Sequence, residues 1–161
     1  MAKYPLGQLL SAREFREELA ERETVRARTA MEEARAAAAA AREELARYRE
    51  WRPGEEKRLF EPLRGRDVTQ TELDKHFQDI QLLRDAELRR EEEVKAADKA
   101  VVATVAAAAA ARERQLKASR DRRKIGEHRE RWMKLEAGRL EMAEELELED
   151  FSRRDGLDDG E

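Results

Sequence analysis

The sequence predicts an all-α fold: an antiparallel two-helix coiled-coil hairpin, elongated, with helix two longer than helix one. Three observations predict it. Charged residues make up 45% of the chain and aromatics only 5%, and alanine supplies much of the apolar remainder; such a composition buries a seam and not a globular core. Apolar residues recur at alternating three- and four-residue intervals over long stretches. The helix breakers gather in one place, Tyr48 to Asp74, which holds Pro53, Pro62, Gly54 and Gly65. There one long helix stops, the chain reverses and a second begins.

Helix one is expected over residues 5–52. Pro5 suits a first turn, where its missing N–H would be unpaired anyway, and no Gly or Pro interrupts Leu9 to Arg52. At the rise of an α-helix that stretch is roughly 66 Å long. Tyr48, Leu45, Ala41, Ala38, Ala34, Met31 and Ala27 form a heptad seam. Phe15 and Leu19 fall one place off that frame, so a stutter is expected near them.

Residues 53–68 are expected to form a kinked turn region. Pro53 removes a backbone hydrogen bond and opens a short segment carrying Leu59, Phe60 and Leu63. Pro62 and Gly65 end that segment, and Arg64 to Val68 make the reversal. Helix two is expected over 69–151. It opens with a capping box, Thr69 and Glu72, in which each side chain satisfies the other's free N–H. Its opening seam reads Leu73, Phe77, Ile80, Arg84, and a later one reads Ile125, His128, Trp132, Leu135, Arg139, Met142, Leu146. Residues 1–151 thus form a single hairpin, and 152–161 an acidic disordered tail.

Two registers are open. A tight reversal at 65–68 sets Leu45 near Leu88 and Met31 near Val102. Helix one then runs out near Lys134, and Trp132, Leu135, Met142 and Leu146 lie at or beyond its end. The other register sets the alanine blocks 36–41 and 106–111 opposite each other and brings Phe15 near Trp132. The tight turn is preferred, and its uncovered overhang is a surface for a partner.

Composition excludes several functions. A formal charge of −4 argues against a nucleic-acid-binding face. The basic run Arg112 to Lys134 reads as a solvated face or as a contact for an acidic partner, with RNA the weakest reading. No cysteine is present, and His76 and His128 have no partner at metal-ligand spacing. No nucleophile, base and orienting group can be assembled and no phosphate-binding glycine loop occurs, so no catalytic, cofactor-binding or metal-binding residue is expected and the protein is not expected to be an enzyme. The longest apolar run, Ala100 to Ala111, falls short of the roughly 20 residues that span a bilayer. The N-terminus lacks an apolar signal core, so a cytoplasmic location without direct membrane insertion is expected.

The wording of the two ends is more specific than the alanine-rich middle. The chain begins Tyr4-Pro5-Leu6 ahead of a helix with Arg13. Helix one ends YREWRPGEEKRLFEPL, the gap reads RGRDVTQTELD, and helix two opens IQLLRDAE. Together these segments resemble the stalk protein of type III secretion systems, the YscO/SctO family, which is similar to the flagellar export protein FliJ. The resemblance implies a hairpin like the central stalk of rotary ATPases. It also implies a place peripheral to the inner-membrane secretion apparatus. There the end with both termini would sit in a hexameric export ATPase of the SctN type, the turn end would reach the cytoplasmic domain of an export gate of the SctV type, and export chaperones would be further partners.

Carried over by their 4, 3, 4 spacing, the gate-contact positions fall on Ala41, Leu45, Tyr48, Arg52 and on Leu73, Phe77, Ile80, Arg84. Arg52 stands where FliJ has an aromatic, Arg84 where it has a histidine, and Ala41 where it has a polar residue. The overhang residues Trp132, Leu135, Met142 and Leu146 become the expected ATPase contact. Each set has a plainer reading as coiled-coil seam, and Tyr48, Trp51 and Phe60 could equally be the small core of the turn. Beside the stalk stand two other readings, a chaperone-escort adaptor and a generic coiled-coil spacer that dimerises through the Trp132 overhang.

Overall fold

The computed structural model describes residues 2–158, with side chains through residue 154. Among them there are two long α-helices and no strand: α1 is Gly7–Phe60, α2 is Gln70–Asp158, and a short 3₁₀ turn, Glu61–Leu63, follows α1. The chain divides into two compact units, one of Met1–Glu23 with Arg112–Glu161, the other Thr24–Ala111. Within each, a segment of α1 packs antiparallel on a segment of α2.

In the Thr24–Ala111 unit the pairing is fixed by three kinds of contact. The Tyr48 hydroxyl donates to the Leu83 carbonyl at 2.6 Å. Arg42 pairs with Asp98. The Thr24 hydroxyl donates to the Ala111 carbonyl at 3.2 Å. In the other unit Arg114 lies 3.7 Å from Glu23, and the Tyr4 ring stands against Trp132. This is the register of the tight reversal. Phe15 does not meet Trp132, whose neighbour is Tyr4, and the register that opposes the alanine blocks is overturned.

The buried residues of α1 are Leu10, Ala20, Thr24, Ala38, Leu45 and Tyr48, and Arg13, Glu17, Ala27, Met31, Ala34, Ala41 and Arg52 are half-buried between them. These positions alternate by three and four from Leu10 to Arg52 without a break. The expected stutter is absent: the frame passes through Arg13, Glu17 and Thr24, while Phe15 and Leu19 face outward. The reason is charge pairing. Arg13 reaches Asp121 at 3.5 Å and Glu17 reaches Arg122 at 4.0 Å, so polar side chains hold seam positions that an apolar pattern would have given to Phe15 and Leu19.

On α2 the inward positions near the turn are His76, Ile80, Leu83, Glu87 and Arg90. The expected seam of Leu73, Phe77, Ile80 and Arg84 has the right spacing and the wrong phase: Phe77 and Arg84 are exposed.

The expected end of helix one at Arg52 is also corrected. Pro53 lies inside α1, which continues to Phe60. A proline interior to a helix costs one hydrogen bond and a steric clash, about 3 kcal/mol. Contacts on both sides hold the segment. Before Pro53, Arg49 and Arg52 pair with Glu87. After it, the Phe60 ring lies 6.0 Å from His76. The start moves from Pro5 to Gly7, whose N–H bonds to the Tyr4 carbonyl. At the other end α2 passes Phe151 and runs to Asp158, so residues 152–158 of the expected tail are helical and 159–161 lie outside the described residues.

Gly65 makes the reversal, with φ of +71°, a conformation that L side chains rarely adopt. Arg66 then closes the loop. Its Nε–H donates to the Pro62 carbonyl at 2.6 Å, and its Nη2 lies 3.2 Å from Glu72. The capping box forms as expected: Thr69 N–H donates to Glu72 at 3.0 Å and Glu72 N–H to the Thr69 hydroxyl at 3.3 Å. The Thr69 backbone bond, with help from Arg66, holds the Glu72 carboxyl below its ordinary range.

Two outcomes follow. A depressed carboxylate stabilises the fold above its unfolded pKa, and that stability is lost as pH falls through the lower folded value. Glu72→Gln therefore has a lower urea midpoint than wild type at pH 7, and the gap closes on acidification into the depressed range. Separately, Ala38→Leu overpacks the seam and costs about 1–3 kcal/mol, whereas Phe15→Glu shifts stability by less than about 0.5 kcal/mol; urea unfolding followed by circular dichroism distinguishes them.

Candidate functional site

Two surfaces carry the expected contacts, one in each unit. In the Thr24–Ala111 unit they centre on Tyr48. Its ring is buried, with the Trp51 ring at 5.5 Å and the Arg90 guanidinium 4.1 Å above its face. Arg90 also lies 3.4 Å from Glu44 and donates to the Ala86 carbonyl. Around this stack runs an ion-pair network. Arg49 bonds to Glu87 at 2.9 Å and to Glu91 at 2.7 Å, and Arg52 pairs with Glu87 and, at 3.4 Å, with Glu56. Glu87 and Glu91 raise the Arg49 pKa above its ordinary value, Glu87 most. Further along, Arg58 draws the Glu55 carboxyl down. Glu87 is the hub, with a side chain only 13% exposed between two arginines.

The eight expected gate-contact residues divide. Leu45 and Tyr48 are buried against α2, and Ala41, Arg52 and Ile80 are half-buried. Leu73, Phe77 and Arg84 are exposed. The structure thus brings the α1 members together as helix–helix packing and leaves three of the α2 members at the surface, with Trp51 half-exposed beside the Tyr48 ring. Arg90 and Glu87 escaped sequence reasoning. Their signal was available, because both fall on the alternation Leu73, His76, Ile80, Leu83, Glu87, Arg90, but a polar seam is invisible to an apolar pattern.

In the unit of Met1–Glu23 and Arg112–Glu161, Tyr4 closes the packed part. Its hydroxyl is hydrogen-bonded to His128 Nδ1 at 2.6 Å and its ring centroid is 5.5 Å from that of Trp132. Trp132 is therefore half-covered. Beyond it no residue of α1 stands opposite α2, and Leu135 (75%), Met142 (68%) and Leu146 (63%) are exposed, as are Leu148 and Phe151. Of the four expected ATPase contacts, three lie open and Trp132 is shared with Tyr4. The residues around them are acidic from Glu136 to Asp150, with Arg139 the one base.

Among the described residues no group of His, Asp and Glu is placed to hold a metal ion, and no helix is long and apolar enough to cross a membrane.

The fold defines a helical-hairpin protein of coiled-coil type. The model of the family described as "Type III secretion protein YscO" matches residues 6–154, and the chain belongs to that family. It is accordingly a component of type III secretion. Among solved structures it is similar to a YscO homolog, CT670, from Chlamydia trachomatis, with a TM-score of 0.70, 22% identity and coverage of 99% of each chain; at that identity the likeness speaks for the fold. No curated protein matches the chain.

Removing the Tyr48 hydroxyl tests how far this cluster is structural. Tyr48→Phe loses the bond to Leu83 and is expected to cost about 1 kcal/mol in urea unfolding while leaving helix content by circular dichroism unchanged.

Proposed function

We propose that this chain is the non-enzymatic central stalk of its type III secretion apparatus, bridging the export ATPase hexamer and the export gate and promoting ATP hydrolysis and substrate export. The observation that carries the reading is the bare overhang of α2. An acidic helix with Leu135, Met142, Leu146, Leu148 and Phe151 in solvent exposes apolar area that a binding partner would cover at about 25 cal/mol per Å², and a ring-shaped channel would cover every face of such a helix. The surface lies in the unit that contains both termini, where the family resemblance sets the ATPase.

The mechanism follows from symmetry. A two-helix pair has no six-fold axis, so inside a six-fold ring it touches some protomers and not others. Its binding energy makes their nucleotide states unequal, which favours ordered turnover. At the gate, contact falls to the exposed Leu73, Phe77 and Arg84 and to the half-exposed Trp51. Ala41, Leu45, Tyr48, Arg52 and Ile80 act from beneath, by fixing the pairing of the helices that present those side chains.

Steady-state ATP hydrolysis by the matching export ATPase, titrated with this protein, tests the reading. The wild type is expected to stimulate, and a chain truncated after Arg131 to lose that stimulation. The double substitution Leu135→Glu and Met142→Glu is expected to raise the half-maximal concentration at least about tenfold, or about 1.4 kcal/mol. Absence of stimulation together with absence of co-elution rejects the stalk. For the gate, Phe77→Ala is expected to weaken capture by the isolated gate domain without altering ATPase stimulation.

A further inference from the structure

The unit of Met1–Glu23 and Arg112–Glu161 holds a cleft that the stalk reading does not use. Arg13 and Arg16 from α1 face Arg114, Lys117, Ala118 and Asp121 from α2 across a cavity of about 300 Å³. Each helix contributes two cations one turn apart, at i and i+3. Like charges at that spacing repel along a helix, and here two such pairs also repel across the groove.

The carboxylates nearby do not balance them. Asp121 meets one guanidinium nitrogen of Arg13 at 3.5 Å, while the Arg13 Nε is buried and has no hydrogen-bond partner. Glu23 stands 3.7 Å from Arg114, on an exposed pair. Arg16 and Lys117 appear in no ion pair among the described residues. The cleft therefore combines four cations, one lining carboxylate and room for a small ligand.

We propose that this cleft is a binding site for a polyvalent oxyanion, of the phosphate class or an equivalent cluster of carboxylates. A single carboxylate already sits there as Asp121 and leaves charge over. A diphosphate offers several negative charges and many acceptor oxygens, and the planar guanidinium fork matches phosphate oxygens two at a time. The site stands independently of the stalk reading, and its test uses the isolated full-length chain without ATPase or gate.

Thermal unfolding by circular dichroism is measured with pyrophosphate and with sodium chloride at matched ionic strength, which removes general screening. Wild type is expected to gain about 3 °C in pyrophosphate over chloride, with a Kd below about 1 mM by isothermal titration. The double variant Arg16→Gln, Lys117→Gln is expected to lose that gain and to unfold at a higher temperature than wild type in chloride, because the repulsion is gone. The charge-matched control Arg123→Gln, Lys124→Gln, outside the cleft, keeps the gain. A hexaglutamate peptide forms the second arm: a response to the peptide alone supports the site and makes its oxyanions protein-borne. Absence of response to both ligands overturns the proposal, as does a gain that survives in the cleft variant.

Discussion

The pairing of α1 and α2 depends on a seam of small side chains. Ala38 and Ala111 are 2% and 1% exposed, the least exposed residues described, and among the described residues no large side chain is fully buried. Alanine lets two helix backbones approach closely, yet each one removes little apolar area from water, so such a seam attracts without choosing a register. The choice falls to polar groups. Tyr48 on the Leu83 carbonyl, Thr24 on the Ala111 carbonyl and the arginine pairs to Asp98, Glu87 and Glu91 fix the alignment within the Thr24–Ala111 unit. Singly, exposed ion pairs are worth less than about 1 kcal/mol. Their value here lies in being right in one register and wrong in the others.

The same logic explains where contact surfaces can exist. A coiled coil that spends its few large apolar residues on the seam has a charged exterior. This chain departs from that at several places, and two of them carry the candidate contacts. At Tyr48 the aromatic body is buried while Trp51 beside it stays half in solvent. Past Trp132, α2 loses its partner helix, and every apolar side chain described there is exposed. The apolar area left bare at either place does not help the isolated chain fold. A component of an export machine has a use for both, since apolar area left bare in one molecule is available to bind another.

Sequence reasoning recovered the hairpin, the reversal near Gly65, the Thr69–Glu72 cap and the seam from Ala27 to Tyr48, because each is written in local spacing or local turn chemistry. It failed where tertiary contacts outweighed local preference. Pro53 reads as a helix end, yet α1 passes through it because Arg49, Arg52 and Phe60 hold the flanking turns to α2. Phe15 and Leu19 read as seam, yet Arg13 and Glu17 hold it through Asp121 and Arg122. Phe77 and Arg84 share a 4, 3, 4 spacing with true seam positions, and only packing shows that His76 and Leu83 point inward instead. Of the candidate sites, the overhang was legible from helix lengths once the tight reversal was preferred. The division of the gate-contact set into packed and exposed members was not, since spacing gives a face and not its direction.

The sequence by itself determined that this chain is two long helices joined by one reversal, because helix propensity, capping and glycine conformation act within a few residues. Tertiary structure decided the register, the phase of the α2 seam, the continuity of α1 through Pro53 and the convergence of Arg13, Arg16, Arg114 and Lys117 into one cleft. Each of those requires groups that are distant in sequence, or a choice between faces of equal apolar content, and only the meeting of the two helices makes that choice.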